Sequence, residues 1–108
     1  MLTIATSSVI ASPVAAAQAA DQPCYVGSWS AAWNVRSGTS TGSTLIVRMP
    51  KASELPAWHA DCSGVVTGGS YQCHSGAPTY NTWIPVKYAG VKRWTAFRCV
   101  GAGAGPMG

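Results

Sequence analysis

Residues 33–46 read WNVRSGTSTGSTLI, and they decide the fold. Trp33 and Val35 alternate with Asn34 and Arg36, so one pair of side chains faces inward and the other outward along a strand. Ser37 to Ser43 holds only Ser, Gly and Thr, residues that cannot bury a core face and whose hydroxyls bond nearby backbone. Leu45, Ile46 and Val47 then resume a β-type apolar run. Strand, long polar loop and second strand in so short a stretch predict a small β-barrel with one large loop across its mouth.

The flanking sequence extends the pattern. Cys24 to Trp29 is apolar and aromatic and predicts a strand, and Leu45 to Met49 predicts another that Pro50 stops, because proline cannot donate to a ladder. Leu55 to Cys62 is assigned a strand from the shared parity of Pro56, Trp58, Ala60 and Cys62. Between Gly64 and Thr82, Gly68-Gly69 and Ser75-Gly76-Ala77-Pro78 are turn signals that leave room for one short strand near Ser70 to Gln72. Ile84, Val86 and Tyr88 alternate, Ala89-Gly90 fits a two-residue hairpin, and Trp94 to Val100 closes the sheet. Pro85 inside that alternation predicts an edge or bulge position. Gly101 to Gly108, nearly all Gly and Ala, predicts a flexible, disordered tail. With no internal repeat and no sustained 3.6-residue period, the chain is all-β.

At residues 33–46 the chain resembles the opening of bacterial SH3-type (SH3b) domains, where an apolar residue, Asn-Val-Arg-Ser-Gly and a small Ser/Thr stretch lead into an apolar pair. Trp83 to Val100, WIPVKYAGVKRWTAFRCV, is similar to the closing hairpin of that family: a Trp-containing strand, a Gly-bearing turn and an aromatic-led last strand. Met49-Pro50-Lys51-Ala52 stands where the family has a Gly in the turn, Arg93 stands for the Gly before the last Trp, and Ser63 to Thr82 reads as an insertion. The resemblance implies a small SH3-like barrel of about five to six strands over residues 20–100, with a long polar loop after the first strand. It also implies a binding role toward cell-wall peptidoglycan or its peptide cross-bridges.

Composition agrees with an exported module. The first charged residue is Asp21, and Met1 to Ala20 is rich in Ala, Ser, Thr, Val and Ile. Ala17-Gln18-Ala19 is a small-x-small site, so residues 1–19 are assigned as a signal peptide. No Lys or Arg precedes Arg36, as expected where the charged beginning of a leader lies upstream of Met1. The competing assignment is an Ala-rich disordered tail. A membrane span is not expected, since Ser, Thr and Pro interrupt the apolar residues.

The cleaved chain is one small domain near the lower limit of a self-sufficient core. Cys24, Cys62, Cys73 and Cys99 all follow the cleavage site and read as two disulfides. Zinc is not expected, because no CxxC-type pair presents two thiolates to one ion. Four cysteines allow three connectivities, and sequence alone does not choose among them. On the barrel reading the first and last strands adjoin, so Cys24 would pair with Cys99, and Cys62 with Cys73 would close the insertion.

Catalysis has few residues to use. The acids are Asp21, Glu54 and Asp61, and the one His/carboxylate constellation is His59-Ala60-Asp61 with His74. No GxSxG elbow is present and the thiols are expected to be oxidised, so the chain is read as a non-enzyme without cofactor or metal. Aromatic residues favour binding instead. Of the five tryptophans, Trp33, Trp94 and Trp29 are assigned to the core. Tyr71, Tyr80 and Trp83 flank the insertion and are expected to line a groove against the polar loop, with Arg36, Thr39 and Thr41 contributing polar contacts.

Seven Lys and Arg against three Asp and Glu give a net charge of +4, and Lys87, Lys92, Arg93 and Arg98 gather around the closing hairpin. That charge draws an exported monomer toward an anionic wall polymer such as teichoic acid; nucleic acid is not expected, since no binding motif accompanies it. The alternative function is a secreted protease inhibitor or toxin-like effector, presenting a Cys62–Cys73 loop or the Arg48-Met49-Pro50-Lys51 turn to a protein partner.

Overall fold

The computed structural model describes residues 23–104; the signal peptide assigned to residues 1–19 and the end of the tail, 105–108, lie outside the described residues. Eight strands form, β1 (Cys24–Ser28), β2 (Trp33–Arg36), β3 (Leu45–Met49), β4 (Ser53–Pro56), β5 (Val66–Gln72), β6 (Thr79–Tyr88), β7 (Val91–Ala96) and β8 (Gly101–Ala104). A 3-10 turn at Phe97–Cys99 separates the last two. All ladders are antiparallel, in a three-stranded sheet of order β4-β1-β8 and a five-stranded sheet of order β3-β2-β7-β6-β5. The expected all-β class is found, with more strands than the expected five or six. Among the described residues no closed barrel forms: the outer edges of β3 and β5 pair with nothing, and a lone bridge between Ala57 and Val86 links the chain after β4 to β6.

Alternation builds the core. Trp33 and Val35 on β2, Ile84 and Val86 on β6, and Cys24 and Val26 on β1 are buried together with Ala57, each aliphatic side chain stabilising the fold by roughly 1.5–3 kcal/mol. Trp33 donates its indole N–H to Ser53 Oγ at 3.1 Å and so ties the larger sheet to β4. Buried Thr95 donates its hydroxyl to the Asn34 carbonyl at 2.7 Å, which replaces the water it loses. Trp29, assigned to the core from sequence, is instead 57 % exposed. Strand β1 ends at Ser28, whose hydroxyl accepts the Ala31 N–H, and the bend places Trp29 outside.

Gly27 lies in the central strand of the smaller sheet, opposite Glu54 on one side and Gly101 on the other. A Cβ there would fall well inside contact distance of the Ser53 carbonyl oxygen and 2.8 Å from Glu54 Cα. Gly27→Ala is expected to lower the unfolding free energy by about 3 kcal/mol, read as a reduced urea midpoint at unchanged slope.

The cysteine pairing expected from the barrel is corrected: Cys24 bonds Cys62 and Cys73 bonds Cys99. The first and last strands do adjoin, but their register sets Gly101 against Gly27 and Ala104 against Cys24. Cys99 therefore lies past the end of β1 opposite to Cys24, in the 3-10 turn before β8, where it bonds Cys73. Cys62 and Cys73 are kept apart by the length of β5.

The segment read as an insertion closed by a disulfide is thus an edge strand and the start of β6. Turn signals obscured it because Gly68, Gly69 and Ser70 form a bulge that stands opposite Asn81 alone. The tail reading is also corrected, since Gly101–Ala104 pairs with β1 as β8. Ala89 and Gly90, at φ 52° and 79°, make the expected two-residue hairpin. Pro85 has strands on both sides, yet its carbonyl accepts the Trp58 N–H at 2.9 Å at a register where β5 has already ended, so its missing donor interrupts no ladder.

Candidate functional site

A cleft of about 150 Å³ opens among β2, β3, β5 and the 3-10 turn. Trp33, Trp83 and Tyr71 supply its buried aromatic floor. Arg36, Arg48, Thr41 and Gln72 line it as polar groups, beside the Cys73–Cys99 disulfide.

The polar loop is shaped before any ligand arrives. Ser37 N–H donates to the Thr44 carbonyl at 2.9 Å, and Ser43 donates both N–H and hydroxyl to the Ser40 carbonyl. Arg36 Nη1 donates to the Ser43 carbonyl at 3.1 Å, which leaves other guanidinium donors for the cleft. Gly69 N–H donates to the Thr39 carbonyl at 2.8 Å, docking the loop on the β5 bulge. Approach is so close that a Cβ on Gly68 would lie 2.5 Å from the Thr39 carbonyl oxygen.

The polar ends of the floor aromatics face protein. Trp83 donates its indole N–H to the Gly69 carbonyl at 2.9 Å; the Tyr71 hydroxyl donates to the Thr82 carbonyl at 2.7 Å and accepts the Arg98 N–H at 3.0 Å. Tyr71 meets Trp83 edge-on, centroids 5.1 Å apart. These rings give the floor shape and apolar surface, and the rim gives hydrogen bonds.

Of the six residues expected to contact a ligand, Arg36, Thr41, Tyr71 and Trp83 come together in the cleft. Thr39 and Tyr80 do not line it: Thr39 holds the bulge, and the Arg98 guanidinium carbon lies over Tyr80, 4.6 Å from the ring centroid. Gln72 was not singled out by sequence, and Arg48 only within the turn offered to a protein partner, not as a cleft residue. Arg48 is the register partner of Asn34 and donates Nη1 to Asn34 Oδ1 at 2.8 Å, a neighbourhood visible only once register is known. Among the described residues no carboxylate lines the cleft, so it favours electron-rich groups.

None of the residues of the His/carboxylate constellation lines the cleft. His59 and Asp61 are exposed before β5 and His74 is exposed after it. Asp61 accepts the Ser63 N–H at 3.1 Å; the Ser63 hydroxyl and backbone, with His59 adding slightly, hold its carboxyl below the usual carboxylate range. Among the described residues no three His, Cys, Asp or Glu side chains are placed to hold a metal ion, and no helix is long and apolar enough to cross a membrane. The Cys62–Cys73 loop offered to a protease cleft is not closed by a disulfide. In comparisons with known proteins the chain matches no protein-family model, no curated protein and no solved structure.

Proposed function

We propose that the chain is a secreted, non-catalytic binding module of SH3b type that recognises cell-wall peptidoglycan or its peptide cross-bridges. One observation carries the site: Arg36, Thr41, Tyr71 and Trp83, distant in sequence, meet in one cleft with Arg48 and Gln72. Its volume is well below the ~300 Å³ at which drug-sized pockets begin, which suits a small portion of a ligand, such as a few small residues of an extended peptide. Rim guanidinium and amide donors match peptide carbonyls. The wall as target rests on the resemblance of residues 33–46 and 83–100 to that family, and two disulfides suit an oxidising, extracellular setting.

Purified protein should pellet with insoluble peptidoglycan stripped of teichoic acid, and should still do so at ~0.5 M salt, where screening acts over roughly 4 Å. Arg48→Ala, an exposed position, should weaken pelleting about tenfold while leaving the fold intact. Protein that stays in the supernatant at low salt would exclude wall recognition. Pelleting that vanishes with salt or with removal of teichoic acid would assign it to charge alone.

A further inference from the structure

Lys87 on β6 and Lys92 on β7 are direct register partners, so both side chains leave the same face of the sheet with Cβ atoms about 5 Å apart. Like charges so placed repel, and exposed lysines ordinarily swing apart. Here each ammonium is held over an indole: Lys87 Nζ lies 5.8 Å from the Trp58 ring centroid and Lys92 Nζ 5.2 Å from that of Trp94. Both rings are half-buried. The Trp58 backbone N–H donates to the Pro85 carbonyl, which fixes the residue beside β6, and Trp94 stands opposite Pro85 on β7. Cation–π attraction therefore holds each ammonium to its own indole, on side chains that leave one face of the sheet from paired positions.

We propose that Lys87 and Lys92 clamp a phosphate of a phosphodiester-linked polyol polymer. Two ammonium groups are point charges with freely rotating donors, suited to the tetrahedrally arranged oxygens of a phosphate between them. Their hairpin is exposed at both lysines, so a lone anion would be held weakly, whereas a polymer re-presents phosphate after each dissociation. Nucleic acid fits less well. Single strands are gripped by stacking bases on aromatic faces, and here the ammonium groups lie over those faces. The clamp shares no residue with the cleft.

The test titrates purified poly(glycerol phosphate) against the folded protein, following tryptophan fluorescence and retention on the immobilised polymer. Saturable binding is expected. Lys87→Gln/Lys92→Gln should weaken it about tenfold or more and reduce the slope of log affinity against log salt by about two. Lys51→Gln/Arg98→Gln, an equal loss of charge elsewhere, should change affinity less than about threefold. Equal loss in the two double variants would overturn the clamp in favour of net charge, and equal or tighter binding of oligothymidylate would overturn it in favour of nucleic acid. Pelleting with teichoic acid-free peptidoglycan should be unchanged in Lys87→Gln/Lys92→Gln, so the cleft and the clamp fail separately.

Discussion

Cys24→Ala/Cys62→Ala, which opens the disulfide between β1 and the turn after β4, is expected to lower the unfolding free energy by about 4 kcal/mol on the chain-entropy account. For a domain of this size that is a fall of roughly 15–30 °C in melting temperature. Cys73→Ala/Cys99→Ala opens a shorter loop, 26 residues against 38, and should cost about 3.5 kcal/mol. The order of the two has a second cause, since Cys24 is 2 % exposed within the core, so its loss also removes packing. Calorimetry of both variants checks the ranking. Peptide mapping checks the pairing itself. Trypsin leaves Cys62 and Cys73 on one peptide, residues 52–87, and a further chymotryptic cut at Tyr71 parts them. Linked Cys24–Cys62 and Cys73–Cys99 fragments are the expected result; a Cys24–Cys99 fragment would contradict the register of β1 with β8.

Trp83→Ala is expected to be comparably damaging, at about 4 kcal/mol. The indole is 1 % exposed, meets Tyr71 edge-on and donates to the Gly69 carbonyl. Removing it leaves a cavity under the cleft and takes away the support of the β5 bulge. Trp83→Phe keeps most of the volume and should cost about 1–2 kcal/mol, the cost of an unpaired carbonyl. Urea denaturation distinguishes the two. A loss below ~1 kcal/mol for Trp83→Ala would mean that the site collapses without strain and that the floor is not what shapes the cleft. Peptidoglycan pelleting should fall far more for Trp83→Ala than for Trp83→Phe.

Sequence made some of this legible, for physical reasons that differ by element. Strand β2 alternates buried Trp33 and Val35 with Asn34 and Arg36 as its sequence reads, and the Ala89-Gly90 turn closes the β6–β7 hairpin as expected, whereas Trp83 to Val86 are all buried because β6 lies inside its sheet. Strand β5 was reduced to its last few residues because Gly68 and Gly69, read as turn signals, serve a bulge whose purpose is to let the Thr39 carbonyl approach. Strand β8 offers only Gly and Ala, so its assignment depends on backbone pairing with β1 and leaves no mark in hydropathy. Cysteine pairing follows from strand register, which no spacing encodes. In the cleft, Tyr71 and Trp83 were visible as aromatics flanking a polar segment, whereas Arg48 enters by being paired with Asn34 across two strands.

The position of β1 also sets an order of events. It is the first described strand, yet one neighbour is β4 and the other is β8 at the end of the described chain. Pairing across almost the entire polypeptide is slow to form, because a large loop must close before any contact rewards it. The β6–β7 hairpin, by contrast, closes locally. In chain order every strand of the larger sheet precedes Gly101–Ala104, so the smaller sheet is the one that cannot be completed until the end of the described chain is present. Until those four residues arrive, Cys24–Ser28 keeps one unsatisfied edge, the state in which the chain is most open to mispairing and to capture by another strand.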